Sequence, residues 1–181
     1  MSTSDVKSST TSVADLALPT GLLILRIGIA AAMLQAGLIK ALDFDATAGF
    51  METGGWRLPT FAAFMVTAAE TAGGIGLLLG LLTPLAASAV VGAMLCAWAV
   101  NVSGDAFWAE PFNVPFLIAI GAATLLFTGP DAYSIDARLF GWSRVRVKIA
   151  VGLFVVAIVA ALLTWILLNG TNPINFTAPP G

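Results

Sequence analysis

Three charged side chains lie inside long apolar stretches of this chain: Arg26, Lys40 and Glu70. A charge near the centre of a membrane-spanning helix costs about 2.5–3.5 kcal/mol even on insertion-derived scales, so each needs a partner or a function. Arg26 lies about 10 Å inside the first apolar segment and Glu70 near the middle of the second, so their depths differ by roughly 7 Å on ideal helices. This spacing predicts an Arg26–Glu70 ion pair, with Lys40 reaching the membrane surface and needing no partner.

Glu70 has two interpretations that the sequence leaves open. It is either half of an ion pair that holds two helices together, or a protonatable or ligand-binding carboxylate inside the bundle, because ionisable groups within spans often mark functional sites. Gln35 lies on the opposite face of the first helix from Arg26 and is predicted to hydrogen-bond to another helix. The inward face of the first helix is predicted to present Arg26, Ala30, Met33, Gly37 and Lys40.

Glycines accompany these polar residues. Two of them follow Glu70 by three and four positions, which places them on its side of the helix. Another two, spaced four apart, form a small-xxx-small pair that allows a neighbouring helix to approach closely. The predicted helix-packing positions are Gly37, Gly73, Gly74, Gly76 and Gly80.

The residue inventory excludes several kinds of site within this chain. There is no histidine, so imidazole metal ligation and histidine acid–base catalysis are absent. The single cysteine, Cys96, excludes an internal disulfide, a Cys-x-x-Cys pair and a cysteine-held iron–sulfur cluster. We therefore expect no metal site and no intrinsic cofactor, and redox chemistry would need a bound organic cofactor, for example a quinone, or another subunit. A net charge of −2 without a long basic run argues against a nucleic-acid partner.

The composition places the chain in a bilayer. Hydrophobic residues make up 59% of the 181 residues and charged residues 10%, whereas soluble domains have about 25% charged residues. A spanning helix needs about 20 residues. Five apolar segments, near residues 19–42, 59–82, 83–102, 114–128 and 147–168, predict an all-α membrane protein: a four-helix bundle plus a fifth, C-terminal transmembrane helix.

The same segments divide the chain into four parts. Residues 1–18 are predicted to be a flexible cytoplasmic tail, 19–139 the four-helix core, 140–168 a basic loop with the fifth helix, and 169–181 an external tail. Because basic residues favour the cytoplasmic side, five of them against two place the N-terminus in the cytoplasm and the C-terminus outside. The five are Lys7, Arg138, Arg144, Arg146 and Lys148, and the two are Lys40 and Arg57.

The order of several short motifs resembles the DoxX family of small bacterial and archaeal membrane proteins. The motifs are GLIK at 37–40, AETAGG at 69–74, GLLTP at 80–84 and GPDAYSIDA at 129–137, with Arg26 early in the first helix. The resemblance covers about residues 22–139 and implies a four-helix membrane core. It also implies an association with redox complexes, since relatives include thiosulfate:quinone oxidoreductase subunits. The chain departs from the family at 99–101, which read AVN where relatives often have a histidine, and in its additional fifth helix.

Three functions fit this pattern. The first is an integral membrane subunit or anchor of a redox-associated, quinone-linked complex in the prokaryotic plasma membrane, not catalytic alone and without its own electron-carrying centre. Its expected partners are membrane lipids and other protein subunits. The alternatives are a small proton-coupled carrier, for which Glu70 would be the coupling residue, and a purely structural assembly subunit of an envelope complex.

Overall fold

A computed structural model describes residues 13–104, 109–142, 144–172 and 174. Within these residues all regular secondary structure is helical, as the sequence predicts. The predicted N-terminal tail, except for residues 13–18, and most of the predicted external tail lie outside this part of the chain. The elements are α1 (Val13–Leu42), α2 (Phe44–Thr53), α3 (Pro59–Leu79), α4 (Thr83–Gly104), α5 (Val114–Thr128), α6 (Ile135–Phe140) and α7 (Val147–Thr164), which continues as a π-helix (Trp165–Asn169).

Local sequence signals explain where these helices begin and end. Pro59 occupies the first turn of α3, where its missing N–H has no partner to lose. The same helix ends at Gly80, whose left-handed conformation (φ 64°) suits a residue without a Cβ. The side chain of Asn113 accepts a hydrogen bond from the backbone N–H of Phe116 and so caps α5. Asp43 caps α2 in the same way.

Four of the helices are long and apolar enough to cross a membrane. They are Leu16–Leu42, Pro59–Leu79, Thr83–Gly104 and Val147–Asn169. The remaining apolar helix, α5, has 15 residues and is about 22 Å long, less than the roughly 30 Å of a hydrocarbon core. The predicted helical membrane architecture is therefore confirmed, with four candidate spans and one shorter apolar helix.

The helices pack as antiparallel neighbours at positions with small side chains. Helix α3 lies along α1, where Gly37 faces Thr71 and Gly74 faces Leu34. On the other side of α3, Gly73 approaches Val90 of α4. Helix α4 in turn contacts α5 and α7. These contacts surround a buried apolar core that includes Ala30, Met33, Leu77, Val91 and Leu126.

Different segments of the chain meet at the two ends of the bundle. At one end, which we call the motif end, the α3–α4 turn at 80–83 meets the segment 131–136 that follows α5. At the other, the α2 end, the backbone N–H of Arg57 donates to the carbonyl of Leu168 at 2.8 Å. Helix α7 runs between the motif end and the α2 end. It packs on α4, where Ser88 Oγ donates a hydrogen bond to the Leu153 carbonyl at 3.0 Å.

Candidate functional site

The side chain of Glu70 forms an ion pair with Lys40 near the α2 end. Lys40 Nζ lies 2.7 Å from Glu70 Oε2 and donates a hydrogen bond to it. The Glu70 side chain is 3% exposed and that of Lys40 is 28% exposed, because Lys40 belongs to the last turn of α1. The pair therefore consists of a fully enclosed carboxylate and an ammonium group with partial access to the surroundings.

The predicted Arg26–Glu70 pair is wrong, and so is the prediction that Lys40 needs no partner. The reason is the register between α1 and α3. Since Gly37 lies opposite Thr71 and the two helices are antiparallel, Arg26 lies beside Gly80. Gly80 follows Glu70 by ten residues, or about 15 Å along a helix, which is beyond the reach of the guanidinium.

Two threonines beside Glu70 have hydroxyl groups without a hydrogen-bond partner. Thr67 and Thr71 are one helical turn apart on α3, and their Oγ1 atoms are both buried and unpaired within the described residues. A threonine hydroxyl can donate one hydrogen bond and accept two. We call Lys40, Glu70, Thr67 and Thr71 the Glu70 site. It combines a carboxylate, an ammonium and two free hydroxyls in an otherwise apolar region.

At the motif end, Arg26 pairs with an acid that the sequence analysis did not select. Arg26 Nη1 lies 3.1 Å from Asp131 Oδ2, and the two side chains are 3% and 1% exposed. The other carboxylate oxygen of Asp131 accepts a hydrogen bond from the backbone N–H of Tyr133 at 2.7 Å. This ion pair connects the middle of α1 with the segment that follows α5.

A second acid that the sequence analysis did not select, Asp136, connects two segments at the motif end. Its two carboxylate oxygens accept hydrogen bonds from the backbone N–H groups of Leu82 and Thr83, each at 2.7 Å. Its own N–H donates to the carbonyl of Gly80 at 2.9 Å. Asp136 thereby satisfies N–H groups at the start of α4, which is favoured by the positive end of the helix dipole. The sequence signal for both acids was the GPDAYSIDA motif at 129–137, which does not indicate what either carboxylate contacts.

The two clusters differ in what they leave free for chemistry. At the motif end both carboxylates are engaged by a guanidinium or by backbone N–H groups, so this cluster holds helix ends together. Arg26 Nε and Thr83 Oγ1 are also buried there without a hydrogen-bond partner within the described residues. The Glu70 site instead keeps two unpaired hydroxyls and a partly exposed ammonium. In the part of the chain that the structure describes, no three histidine, cysteine, aspartate or glutamate residues are grouped to hold a metal. The Glu70 site is the better candidate for binding a polar ligand because its ammonium is partly exposed, whereas the charged groups of the motif end are all enclosed.

Comparison with known proteins agrees with this architecture. The DoxX family model matches residues 21–103, which include Arg26, Lys40 and Glu70. The inner membrane protein YphA of Escherichia coli (strain K12) is 33% identical over 131 residues, which cover 66% of this chain and 91% of that protein. The chain belongs to the DoxX family. No solved structure matches it. Asp131 and Asp136 lie beyond the matched DoxX region, although Asp131 pairs with Arg26 inside it and Asp136 binds its α3–α4 turn.

Proposed function

We propose that this DoxX protein is an integral membrane subunit, or anchor, of a redox-associated complex, and that its Glu70 site binds the oxygen atoms of a quinone. One observation supports the proposal most: a buried carboxylate, its ammonium partner and two buried hydroxyls without partners lie together in a bilayer protein. Buried polar groups are usually hydrogen-bonded, so the free hydroxyls of Thr67 and Thr71 suggest an absent partner with oxygen or nitrogen atoms.

The residue types suit a quinone head group. A bound quinone would accept electrons and protons at its carbonyl oxygens. The hydroxyls of Thr67 and Thr71 can donate hydrogen bonds to such oxygens, and the ammonium of Lys40 can stabilise negative charge that develops there. Glu70 can hold or release a proton beside them. The chain has no histidine and one cysteine, and in this proposal a partner subunit supplies the electrons.

The position of the site also suits proton exchange. Lys40 lies in the last turn of α1 and is 28% exposed, so its ammonium reaches the surroundings while Glu70 remains enclosed. Helix α2 follows directly and remains close, since Thr47 Oγ1 donates to the Lys40 carbonyl at 3.4 Å. In this arrangement Lys40 connects the enclosed Glu70 carboxylate with the region beside α2.

Binding of a short-chain quinone to the full chain in nanodiscs tests this site, with tryptophan quenching as the readout. We expect Glu70→Gln and Thr71→Val each to weaken binding by about five- to tenfold or more, because each removes about 1–1.5 kcal/mol of hydrogen bonding. Thr124→Val is the matched control, since its hydroxyl donates to the Ile120 carbonyl on an exposed face of α5. Equal affinities for all four proteins would refute the quinone site.

Native mass spectrometry of the complex extracted in mild detergent tests the anchor role separately. A stoichiometric partner that contains a flavin, a haem or a sulfur-transfer domain would support it. Extraction of the chain without any other subunit would contradict it. The two experiments are independent, because quinone binding by the isolated chain does not require the partner.

A proton-coupled carrier is less well supported by the arrangement of charges. Between Arg26 and Lys40, about 21 Å along α1, the inward face presents Ala30, Met33 and Gly37. Within the described residues these apolar side chains separate the two charged clusters. A carrier would need a polar path between them. A pH-dependent flux in proteoliposomes that Glu70→Gln abolishes would favour the carrier over the subunit.

We also propose that the chain crosses the prokaryotic plasma membrane five times, with its N-terminus in the cytoplasm and its C-terminus outside. Although α5 is short, the segment before it reaches α4 near the α2 end, where Trp98 Nε1 donates to the Pro111 carbonyl at 2.9 Å. The segment after it pairs with Arg26 at the motif end. Thiol labelling of Trp142→Cys and Phe50→Cys in a Cys96→Ala background, from each side of sealed vesicles, tests this topology. Labelling of both cysteines from one side would contradict it.

A further inference from the structure

Gln35 is a polar residue of α1 that belongs to neither charged cluster. It lies seven residues, about 10 Å, before the end of α1 at Leu42, well inside the apolar span Leu16–Leu42. Its side chain is exposed, and it makes no hydrogen bond within the part of the chain that the structure describes. At 100° per residue it lies on the opposite side of α1 from Arg26, so it faces the lipid rather than the core. Lipid chains cannot satisfy its amide.

Gln35 is part of a regular stripe of exposed residues along α1. Successive members are spaced alternately by three and four positions, the 3.5-residue repeat of two helices that wrap around each other. The other members are Gly21, Ile24, Gly28, Ala31, Leu38 and Leu42, and all are exposed. We call these seven residues the Gln35 stripe. At Gly28 no atom lies within 4 Å of the position that a Cβ would occupy, so this face is open to another helix.

We propose that two copies of the chain associate through the Gln35 stripe, with their α1 helices parallel and related by a twofold axis along the membrane normal. Copies inserted in the same orientation place Gln35 at the same depth. A carboxamide both donates and accepts hydrogen bonds, so two Gln35 side chains satisfy each other without any further group. Gly28 and Ala31 are small, which allows the helices to approach closely at the adjacent turns.

This complementarity favours a second copy over other occupants of the surface. An acyl chain offers no hydrogen bond at the depth of Gln35. A different protein would need its own polar group at that depth, whereas the same chain provides one by symmetry. The interface is also independent of the quinone proposal, because Lys40 and Glu70 meet at the α1–α3 contact on the opposite side of α1.

Single-molecule photobleaching of the labelled full chain in liposomes, at a series of protein densities, tests the dimer. We expect the wild type to dimerise and Gln35→Leu to raise the dissociation constant roughly 5- to 30-fold, the effect of a buried hydrogen bond between membrane helices. Gly28→Leu should weaken the dimer by blocking close approach without disturbing the monomer. Gly152→Leu is the matched control, since that glycine of α7 also has open space but lies outside the stripe.

Oxidative cross-linking in a Cys96→Ala background gives a second readout. Ala31→Cys should form a disulfide-linked dimer, and Val151→Cys, which is exposed on α7, should not. The proposal fails if the wild type is monomeric at every density, or if Gln35→Leu and Gly28→Leu both dimerise like the wild type. It also fails if the chain extracted from its own membrane is a single copy bound through α1 to a different protein.

Discussion

Removing the charge of Lys40 should destabilise the protein far more than removing the charge of Glu70, although the two form one ion pair. Lys40→Met leaves a carboxylate that is 3% exposed without an ionic partner, and breaking a buried pair in this way costs about 3–5 kcal/mol. Glu70→Gln leaves an ammonium that is 28% exposed and can extend towards the surface, so we expect a cost of about 1 kcal/mol. The structure thus predicts that the loss of Lys40 lowers the stability of the protein more than the loss of the Glu70 charge does.

The double variant Lys40→Met/Glu70→Gln should be nearly as stable as Glu70→Gln alone, because no unpaired charge remains in the interior. The resulting coupling energy is about 3–5 kcal/mol, the whole cost that Lys40→Met has on its own. Reversible unfolding of the purified protein in mixed micelles of increasing SDS content, followed by tryptophan fluorescence, provides the free energies. Lys148→Met, at an exposed lysine in the first turn of α7, is the control and should change stability by no more than about 0.5 kcal/mol.

Two results would refute this reasoning. If Glu70→Gln cost as much as Lys40→Met, the difference in exposure would not control the effect. If the double variant cost the sum of the single variants, the 2.7 Å contact would not contribute to stability. A stable Glu70→Gln protein is also what makes the quinone-binding experiment interpretable, because lost binding could then not be attributed to unfolding.

Two further predictions use the same unfolding measurement. Asp136→Asn should destabilise the protein by about 2–3 kcal/mol. One of the two charge-assisted hydrogen bonds is lost, because the amide N–H₂ of asparagine would face a backbone N–H group that also donates. An unchanged unfolding midpoint would contradict the capping role of Asp136. Gly37→Ala should lower the free energy of unfolding by about 1–3 kcal/mol, since its Cβ would lie 2.8 Å from the backbone nitrogen of Thr71. Gly152→Ala is the control and should be neutral or slightly stabilising, because open space surrounds that position.

The helices could be predicted from the sequence because apolar length alone identifies a membrane span. Which charged residues pair with one another could not be predicted from the sequence. Depth was counted from the ends of the apolar segments, but α1 begins at Val13, before its apolar stretch, and its register with α3 is fixed by close contacts such as Gly37 against Thr71. A shift of a few residues changes which charge faces Glu70, and hydropathy contains no information about that shift.

The short helices were missed for a related reason. Helix α2 falls in the connection between the first two apolar segments, and α6 overlaps the end of the GPDAYSIDA motif, so neither lies in a stretch that apolar length identifies. Asp136 at the start of α6 makes its contacts with residues more than 50 positions away, so nothing in its local sequence indicates burial. Only the folded chain shows that this acid completes the α3–α4 turn.

The position of the motifs explains what membership of the DoxX family does and does not imply. The GLLTP stretch at 80–84 and the GPDAYSIDA stretch at 129–137 meet at the motif end, where Asp136 binds the α3–α4 turn and Asp131 pairs with Arg26. These contacts connect helix ends and leave their carboxylates fully occupied, so they account for a shared architecture. A specific activity requires groups that remain free to bind a ligand. In the described part of this chain the Glu70 site, near the α2 end, combines such groups with a partly exposed ammonium, and Glu70→Gln and Thr71→Val there should weaken ligand binding while the protein stays folded.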